Sequence, residues 1–313
     1  MSLLLLGRWS DAERDRWLQL LQAELPAERF LLAPPTDPAE AAEVEAAIVA
    51  NPEPGSLIGL PNLRLIQSVW AGVDRLLQDP TLPPEVPLSR MVDPAMNEAM
   101  VHTALWAVLS LHRHFFALAR QQREGLWQQP EQRRAAEVNV LVLGLGELGG
   151  RVARALAAQG YAVSAWSTRP TEQAGLRCLA GEAALQAALA EADVVINLLP
   201  LTPATQQFFS AARLAQMRRG AALVNLARGA HVDEAALLQA LASGQLGHAV
   251  LDVFAQEPLD PGHAFWQHPQ VTVLPHCAAQ TDARSAAAVV LANLRALREG
   301  RPLAHQVSRQ RGY

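Results

Sequence analysis

Short apolar runs alternate with amphipathic segments through the first hundred residues. Ser10 begins one such segment, SDAERDRWLQLLQAEL, and Glu13 completes a capping box, so the segment is predicted to be a helix. Apolar runs bounded by turn residues predict strands, because such runs bury well in a sheet. The predicted strands of this region are LLLLG, FLLAP, AAIVAN, LRLIQSVWAG and VPLSRM. The pattern predicts a small doubly wound α/β unit.

A second, longer alternation begins at Asn139. It follows a helix predicted from Pro94 to about Arg120 and a polar, loop-like segment. Its apolar runs are NVLVLGLG, YAVSAWS, ADVVINLLP, AALVNLAR, HAVLDVF and VTVLP. Helical segments lie between most of them, which predicts a six-stranded parallel sheet. One amphipathic helix is predicted after Gln280.

The two alternations predict an α/β protein with two doubly wound parallel-sheet domains. Residues 1–98 and 282–313 are predicted to form the smaller, flavodoxin-like domain, and residues 99–281 a Rossmann domain. The chain has 313 residues, enough for two cores, and its 50% hydrophobic and 18% charged residues are typical of a globular protein.

A glycine pattern, Gly144-x-Gly146-x-x-Gly149, lies between a strand-like run and the helical segment RVARALAAQG. In that setting it predicts a dinucleotide-binding turn. Gly144 permits the tight turn, Gly146 lets the backbone approach a pyrophosphate, and Gly149 lets the helix pack on the strand. A plain tight turn is the alternative interpretation.

The residues after YAVSAW bear on the choice of dinucleotide. An NAD-selective site places Asp or Glu at this strand end to bind the ribose 2′-hydroxyl. This chain has Ser167, Thr168 and Arg169 there instead. Hydroxyls and a guanidinium suit a 2′-phosphate, so the sequence favours NADP, with NAD as the alternative. Arg169 as an ordinary solvated loop residue is the other interpretation.

Three polar residues follow strand-like runs farther along the chain: Arg228 in LVNLARG, Glu257 in LDVFAQEP and His276 in VTVLPHCA. Ligands of open α/β sheets bind at the carboxyl ends of the strands. A guanidinium, a carboxylate and an imidazole there suit reduction of a 2-keto acid, which needs a group to hold the acid and a tuned proton donor. Each residue alone has a structural explanation, so the prediction rests on their arrival at three successive strand ends.

Composition narrows the classes of partner. The net charge of −4 and the pI near 6.1 argue against a nucleic-acid or anionic-membrane surface. The N-terminus lacks the basic flank of a signal peptide, and polar residues interrupt the apolar stretch from Met100 to Leu111, so no membrane span is expected. The two cysteines, Cys178 and Cys277, suit a reducing cytoplasm.

All 26 basic residues are arginine. The absence of lysine excludes Schiff-base chemistry and a Walker loop. His112 and His114 point to different helix faces, and no His/Cys spacing suggests zinc, so no metal site is predicted. Cys277 is expected to be a small buried cysteine, since adjacent residues of extended chain point to opposite sides and it would not share the direction of His276.

The motifs GLGELG, NLARG, LDVFAQEPL and WQHPQVTVLPHCA, in this order, resemble those of the D-isomer-specific 2-hydroxyacid dehydrogenase family. The likeness runs from about Leu63 to Tyr313. It implies that Arg228 binds the substrate carboxylate and polarises the keto oxygen, that His276 protonates this oxygen, and that Glu257 hydrogen-bonds His276.

The resemblance also implies the binding residues. Substrate contacts are expected at Trp70, Ala71 and Gly72, from the smaller domain across a cleft, together with Arg228 and His276. Trp70 either walls the pocket or packs into the core. The expected cofactor contacts are Gly144, Gly146, Glu147, Leu148, Gly149, Ser167, Thr168, Arg169, Leu199, Pro200, Thr205, Leu226, Ala227 and Asp252, the last anchoring the nicotinamide amide.

The function expected from residues and resemblance together is NADPH-dependent reduction of glyoxylate or hydroxypyruvate by a cytoplasmic enzyme. Family members are typically dimers joined through the cofactor domain, so a homodimer is expected, with the helix after Pro94 at the interface. Two alternatives stay open at this stage. One is an NAD-linked reductase of another small 2-keto acid, and the other is a nicotinamide-binding regulator that works through a partner surface.

Overall fold

The computed structural model describes residues 2–313. The strands, in chain order, are β1 (Ser2–Gly7), β2 (Arg29–Leu31), β3 (Val44–Ala50), β4 (Leu65–Ser68), β5 (Leu88–Ser89), β6 (Asn139–Leu143), β7 (Ala162–Ser167), β8 (Arg177–Ala180), β9 (Val194–Asn197), β10 (Ala221–Asn225), β11 (Leu246–Leu251) and β12 (Val271–Val273). The helices are α1 (Asp11–Glu24), α2 (Pro38–Glu43), α3 (Asp74–Leu77), α4 (Pro94–His112), α5 (Phe115–Glu124), α6 (Glu147–Ala158), α7 (Glu182–Glu191), α8 (Ala211–Gln216), α9 (Glu234–Ala242) and α10 (Ala283–Arg298). Short 3₁₀ turns span Ala135–Glu137, Gly229–His231 and Ala264–Gln267.

The chain divides into two compact units. The split unit runs as far as Met96 and resumes from Thr281 to Tyr313, and the central unit is Asn97–Gln280. Each unit contains one parallel sheet, so the predicted α/β class with two parallel-sheet domains is confirmed.

The sheet of the split unit has the strand order β2-β1-β3-β4-β5, and every neighbouring pair is parallel. This is the 2-1-3-4-5 order of flavodoxin-like folds. The middle strand β3 is buried along its whole length. Ile48 packs in one apolar cluster and Val49 in another, because successive side chains of a strand point to opposite faces.

The sheet of the central unit has the order β12-β11-β10-β9-β6-β7-β8, also parallel throughout. The order reverses between β6 and β9, which is the position where ligands bind in open α/β sheets. The sheet has seven strands instead of the predicted six, because the sequence pattern did not predict β8. It pairs only with β7 at the sheet edge, and its residues are exposed or half-buried, so no apolar run marks it.

The predicted capping box is present. Ser10 Oγ accepts the Glu13 N–H at 3.3 Å, and Glu13 Oε2 accepts the Ser10 N–H at 2.8 Å. The single helix predicted from Pro94 to about Arg120 is wrong. The chain leaves α4 and restarts as α5 because His114 adopts a left-handed backbone conformation with φ 59°.

Helix α5 runs farther than predicted, to Glu124, and Gly125 ends it with a left-handed φ of 65°. The polar segment expected to be loop is therefore helical at its start. No α-helix within residues 2–313 is both long enough and apolar enough to cross a membrane.

Candidate active site

The turn after β6 has the geometry that the glycine pattern predicts. Gly144 has φ +99°, which favours glycine, and a Cβ there would lie 2.6 Å from the carbonyl oxygen of Leu198. A Cβ on Gly149 would lie 1.7 Å from the carbonyl oxygen of Gly144. No larger residue fits at Gly149, so α6 begins directly against the end of β6.

The start of α6 fits an anion such as a pyrophosphate. Its N-cap residue Gly146 is exposed, and no heavy atom lies within 4 Å of a Cβ built on it. No side chain caps the first-turn N–H groups, which are the donors that bind phosphates at helix N-termini. Glu147 ion-pairs with Arg151 at 3.4 Å, and Leu148 is half-buried beside it. These residues fit a dinucleotide.

The loop after β7 carries no acid at the expected ribose position. Ser167 Oγ donates to the carbonyl oxygen of Arg169 at 2.6 Å, and Thr171 Oγ1 donates to the same oxygen at 3.2 Å. Thr168 and Arg169 are exposed. Within residues 2–313 the Arg169 guanidinium has no hydrogen-bond or ion-pair partner, so it is available to a ligand.

The loops after β9 and β10 supply the remaining predicted cofactor contacts. Thr205 is buried, and its hydroxyl donates to the carbonyl oxygen of Pro200 at 2.7 Å, so it stabilises this turn from within. The other predicted residues of these two loops have buried or half-buried side chains, namely Leu199, Pro200, Leu226 and Ala227. A ligand can therefore contact these residues mainly through their backbone atoms.

Arg228 lies directly after β10, at a turn pressed against the β11 loop. Its Nη1 donates to the carbonyl oxygen of Ala227 at 2.7 Å. A Cβ on the next residue, Gly229, would lie 1.8 Å from the carbonyl carbon of Phe254. Only glycine allows this approach of the two backbones, so Gly229 sets how closely the Arg228 turn meets the loop that carries Glu257.

His276 and Glu257 form a direct pair. The Nδ1 atom of His276 lies 2.6 Å from Oε2 of Glu257, and Oε1 of Glu257 accepts the Phe254 N–H at 2.9 Å. The two side chains come from the loops after β12 and β11, and the charge of Arg228 acts on both. The structure thus brings the three predicted catalytic residues to one edge of the central sheet.

The pair tunes both pKa values. The hydrogen bond to Glu257 raises the pKa of His276 above its ordinary value, against the opposing effect of burial. Burial raises the pKa of Glu257, but the hydrogen bonds from His276 and the Phe254 N–H outweigh it and leave that pKa below its ordinary value. The arrangement favours a protonated imidazole beside an ionised carboxylate.

Asp252, directly after β11, shapes the turn that carries His276. Its Oδ1 accepts the Cys277 N–H at 2.7 Å and the Ala278 N–H at 3.1 Å, and its carbonyl oxygen accepts the His276 N–H at 2.9 Å. His276 has a left-handed φ of 52°, which these bonds hold in place. Burial raises the pKa of Asp252 despite the bonds it accepts.

The predicted substrate residues of the split unit lie in a bend after β4. Ala71 and Gly72 are half-buried there. Trp70 is 36% exposed, whereas its neighbour Val69 belongs to the core. The core alternative for Trp70 is therefore wrong. Cys277 is exposed, so the expectation of a buried cysteine is wrong too, because its turn leaves the sheet.

Some residues that shape this edge escaped the sequence analysis. Asn197 and Asn225 end β9 and β10, and His231 follows in the 3₁₀ turn after Arg228; all three are fully buried. A polar side chain closing an otherwise apolar run, as in DVVIN and AALVN, was the available signal. No group of three or more His, Cys, Asp or Glu side chains in the described part of the chain could hold a metal ion.

Comparisons with known proteins point to one family. Residues 105–278 match the model of the D-isomer specific 2-hydroxyacid dehydrogenase, NAD binding domain. The chain is 37% identical over 308 residues to glyoxylate/hydroxypyruvate reductase A of Yersinia enterocolitica, covering 96% of this chain and 97% of that protein. A D-isomer specific 2-hydroxyacid dehydrogenase from Xanthobacter autotrophicus, solved with NADPH and MES, matches with a TM-score of 0.93 and 39% identity over 100% of this chain and 99% of that one.

A further solved relative is the NADPH-dependent glyoxylate/hydroxypyruvate reductase of Sinorhizobium meliloti in complex with NADP and sulfate. It matches with a TM-score of 0.90 and 33% identity over 100% of this chain and 99% of that one. Fold and site define the chain as an NAD(P)-dependent dehydrogenase. The chain belongs to the D-isomer specific 2-hydroxyacid dehydrogenase family, and it is similar to the glyoxylate/hydroxypyruvate reductases A. The predicted family and enzyme class are confirmed.

Proposed function

We propose that this enzyme reduces glyoxylate or hydroxypyruvate to the corresponding 2-hydroxy acid with NADPH, through Arg228, Glu257 and His276. The observation that carries the proposal is the 2.6 Å contact of His276 with Glu257 beside the charge of Arg228. The names of the Yersinia and Sinorhizobium relatives support this choice of substrate. The substrate contacts at Trp70, Ala71 and Gly72 belong to the same proposal.

Each side chain has a separate task in the proposed reaction. Arg228 binds the carboxylate and draws electron density toward the keto oxygen. The Nδ1 atom of His276 is engaged by Glu257, so Nε2 is the nitrogen that donates a proton to that oxygen. A nicotinamide dinucleotide, when bound, supplies the hydride for the carbonyl carbon. Glu257 keeps the imidazole ring oriented and charged until the proton leaves.

Asp252 would anchor the nicotinamide amide in this proposal while it holds the turn of His276. Its Oδ1 already accepts the Cys277 and Ala278 N–H groups, whereas Oδ2 shares only the Ala278 N–H, so Oδ2 has a further lone pair for the nicotinamide amide. The Gly144–Gly149 turn and the N-terminus of α6 would hold the pyrophosphate. The loops after β7, β9 and β10 would complete the dinucleotide site.

NADPH is proposed over NADH because the end of β7 has no carboxylate and Arg169 has no partner within residues 2–313. We expect Arg169→Ala to lose a charge-assisted hydrogen bond of roughly 1.5–3 kcal/mol with NADPH and nothing comparable with NADH. The ratio of kcat/KM for the two cofactors measures this change. Arg177→Ala, at an exposed arginine of β8, is the control that should keep the ratio. A wild-type enzyme that uses both cofactors equally would contradict the NADPH proposal.

A homodimer through the central unit is proposed from an exposed apolar face. Helices α4 and α5 expose Trp106, Leu109 and Phe115, and the segment after α5 adds Leu126 and Trp127, of which Trp127 is 94% exposed. Trp106, Leu109 and Phe115 line one surface depression, and exposed apolar surface of this kind marks protein contact sites. A second copy of the chain is the proposed occupant, because the family resemblance implies a dimer joined through this unit, and a face that pairs with its own copy closes a symmetric dimer.

The decisive assay follows NADPH absorbance in purified protein. NADPH should be consumed only after addition of glyoxylate or hydroxypyruvate. His276→Gln should lower turnover by roughly 10²–10⁴ with NADPH affinity retained, because it removes only the proton donor. His268→Gln, a histidine away from the proposed triad, should retain wild-type turnover. Turnover of another small 2-keto acid with NADH, and none with glyoxylate or hydroxypyruvate, would overturn the proposal.

A further inference from the structure

A group of buried polar side chains lies beneath the Arg228 turn. We call Asn197, Asn225 and His231 the amide–imidazole network. Asn197 and Asn225 are paired in register at the ends of β9 and β10, and His231 belongs to the 3₁₀ turn after Arg228. All three side chains are fully buried. Burying a polar group destabilises a core unless the group is hydrogen-bonded. The hydrogen bonds of these three side chains therefore show which backbone segments they fix.

Asn197 links the other two members. Its Nδ2 donates to Oδ1 of Asn225 at 2.9 Å and lies 2.8 Å from Nδ1 of His231. Its Oδ1 accepts the Leu199 N–H at 3.2 Å. Both amide hydrogens of Asn197 are therefore used inside the network, while its oxygen fixes the start of the loop after β9.

The partners of His231 determine its tautomer. An amide nitrogen can only donate, so Nδ1 of His231 accepts from Asn197 and carries no proton. The proton is then on Nε2, which lies 3.3 Å from the carbonyl oxygen of Pro200. The imidazole is neutral in this network, and it joins the Pro200 turn to Asn197.

Asn225 reaches the turn of the proposed catalytic arginine. Its Nδ2 donates to the carbonyl oxygen of Arg228 at 2.9 Å, and its Oδ1 accepts the Ala227 N–H at 3.2 Å. The network thus bonds the backbone on both sides of the Ala227–Arg228 peptide. It also bonds the backbone of Leu199 and Pro200, in the neighbouring loop.

We propose that Asn197, Asn225 and His231 are positioning residues that lock the Arg228 turn and the Leu199–Pro200 turn into one rigid unit. This inference rests on the proposed function for the roles of the two turns. A fully bonded buried network has one arrangement, so each turn is held at a fixed offset from the other. The Asn225 branch sets the Arg228 backbone, and the His231 branch sets the Pro200 backbone.

Two variants test the branches separately. Asn225→Asp keeps the Oδ1 acceptor and replaces the donor to the Arg228 carbonyl by an oxygen. It should raise KM for glyoxylate, and the Kd of the non-reducible analogue oxamate, roughly tenfold to a hundredfold, with NADP affinity retained. His231→Asn keeps an acceptor near Nδ1 and loses the Pro200 bond. It should weaken NADP binding by roughly tenfold and change oxamate binding less.

Asn293→Asp is the matched control, because Asn293 is also a buried and bonded amide but lies in the split unit, bonded to Gln67. It should lower thermal stability and leave kcat and KM unchanged. If Asn225→Asp and His231→Asn behave like this control, with kinetic and binding constants unchanged in the folded fraction, the network is only structural and the inference is overturned. Wild-type protein that fails to reduce glyoxylate overturns the proposed function alone, because calorimetric binding of oxamate and NADP needs no turnover.

Discussion

At the scale of single residues, the contact of His276 with Glu257 decides the protonation state at the site. The hydrogen bond to Glu257 raises the pKa of His276, and the charges of Glu257 and Asp252 add to it. A proton donor is useful only while it is protonated, so a raised pKa extends the working range to higher pH. Glu257 is the residue that makes this possible.

The first prediction concerns pH. The rate of keto-acid reduction should be constant at low pH and fall as pH rises through the raised pKa of His276. Glu257→Gln removes the largest cause of that rise, so the midpoint of the fall should move to lower pH. The profile of kcat/KM against pH measures both midpoints. Glu182→Gln, which removes an exposed carboxylate paired with Arg213, should leave the midpoint in place, and an unmoved midpoint in Glu257→Gln would contradict the assignment.

The second prediction concerns Trp70, which is 36% exposed. Because it is not a core residue, Trp70→Ala should change thermal stability little. If Trp70 walls the substrate pocket, the variant should accept bulkier 2-keto acids better, which relative kcat/KM values for glyoxylate and a branched keto acid would show. Trp17 is 6% exposed and packs in the core, so Trp17→Ala is the contrast and should lose roughly 3–5 kcal/mol of stability. Unchanged substrate preference in Trp70→Ala would exclude the pocket role.

At the scale of elements, the site depends on how closely loops approach each other. Gly229 and Phe254 bring the loops after β10 and β11 into backbone contact, and Phe254 in turn donates to Glu257. The backbone contact between Gly229 and Phe254 therefore supports both Arg228 and Glu257. A change at Gly229 acts on both proposed catalytic groups without touching either side chain.

The third prediction follows from that contact. Gly229→Ala should push the Arg228 turn away from Phe254, since its Cβ would otherwise lie 1.8 Å from the Phe254 carbonyl carbon. Overpacking of this kind costs roughly 1–3 kcal/mol, and here kcat/KM should fall as well because Arg228 moves. Gly262→Ala, where the nearest atom is a side-chain oxygen of Asp260 at 3.1 Å, should be tolerated. Wild-type kcat/KM in Gly229→Ala would show that the contact does not position Arg228.

Much of the structure at this scale could be predicted from the sequence, wherever neighbouring residues determine the local fold. Ser10 and Glu13 form their capping box, and the Gly144–Gly149 turn follows its strand, because both features depend on neighbouring residues. Because each follows a strand-like run, the sequence also predicted that Arg228, Glu257 and His276 lie at one edge of the sheet. Tertiary contacts determine the features that the sequence did not predict. An edge pairing alone makes β8 a strand, and only the folded chain shows Gly229 against Phe254.

At the scale of the whole molecule, a single chain leaves the apolar face of α4 and α5 exposed to solvent. Trp106 and Phe116 pack edge to face at 5.5 Å, so the face is ordered before any partner arrives. Preorganised apolar surface favours association, because little side-chain freedom is lost on binding.

The fourth prediction is a dimer with twice the 33.8 kDa mass of the chain. Light scattering after size exclusion should show it for the wild type, and Phe115→Asp should convert it to a monomer by placing a charge on the apolar face. Ile58→Asp alters an apolar residue that is 63% exposed in the split unit, so it should remain a dimer. A monomeric wild type at the assay concentration would contradict the proposed interface.

The division of the chain has a consequence for its synthesis on the ribosome. The central unit is continuous, whereas the split unit needs α10, whose Val290 and Leu294 pack with Leu3 and Ile48 of its sheet. A nascent chain therefore holds a sheet with one face covered only by α1, through Trp17 and Leu21, while the central unit emerges and folds. Although proteins usually complete their first-made part first, here that part is completed after the rest. The apolar cluster around Leu3 and Ile48 is thus incomplete until α10 has been synthesised.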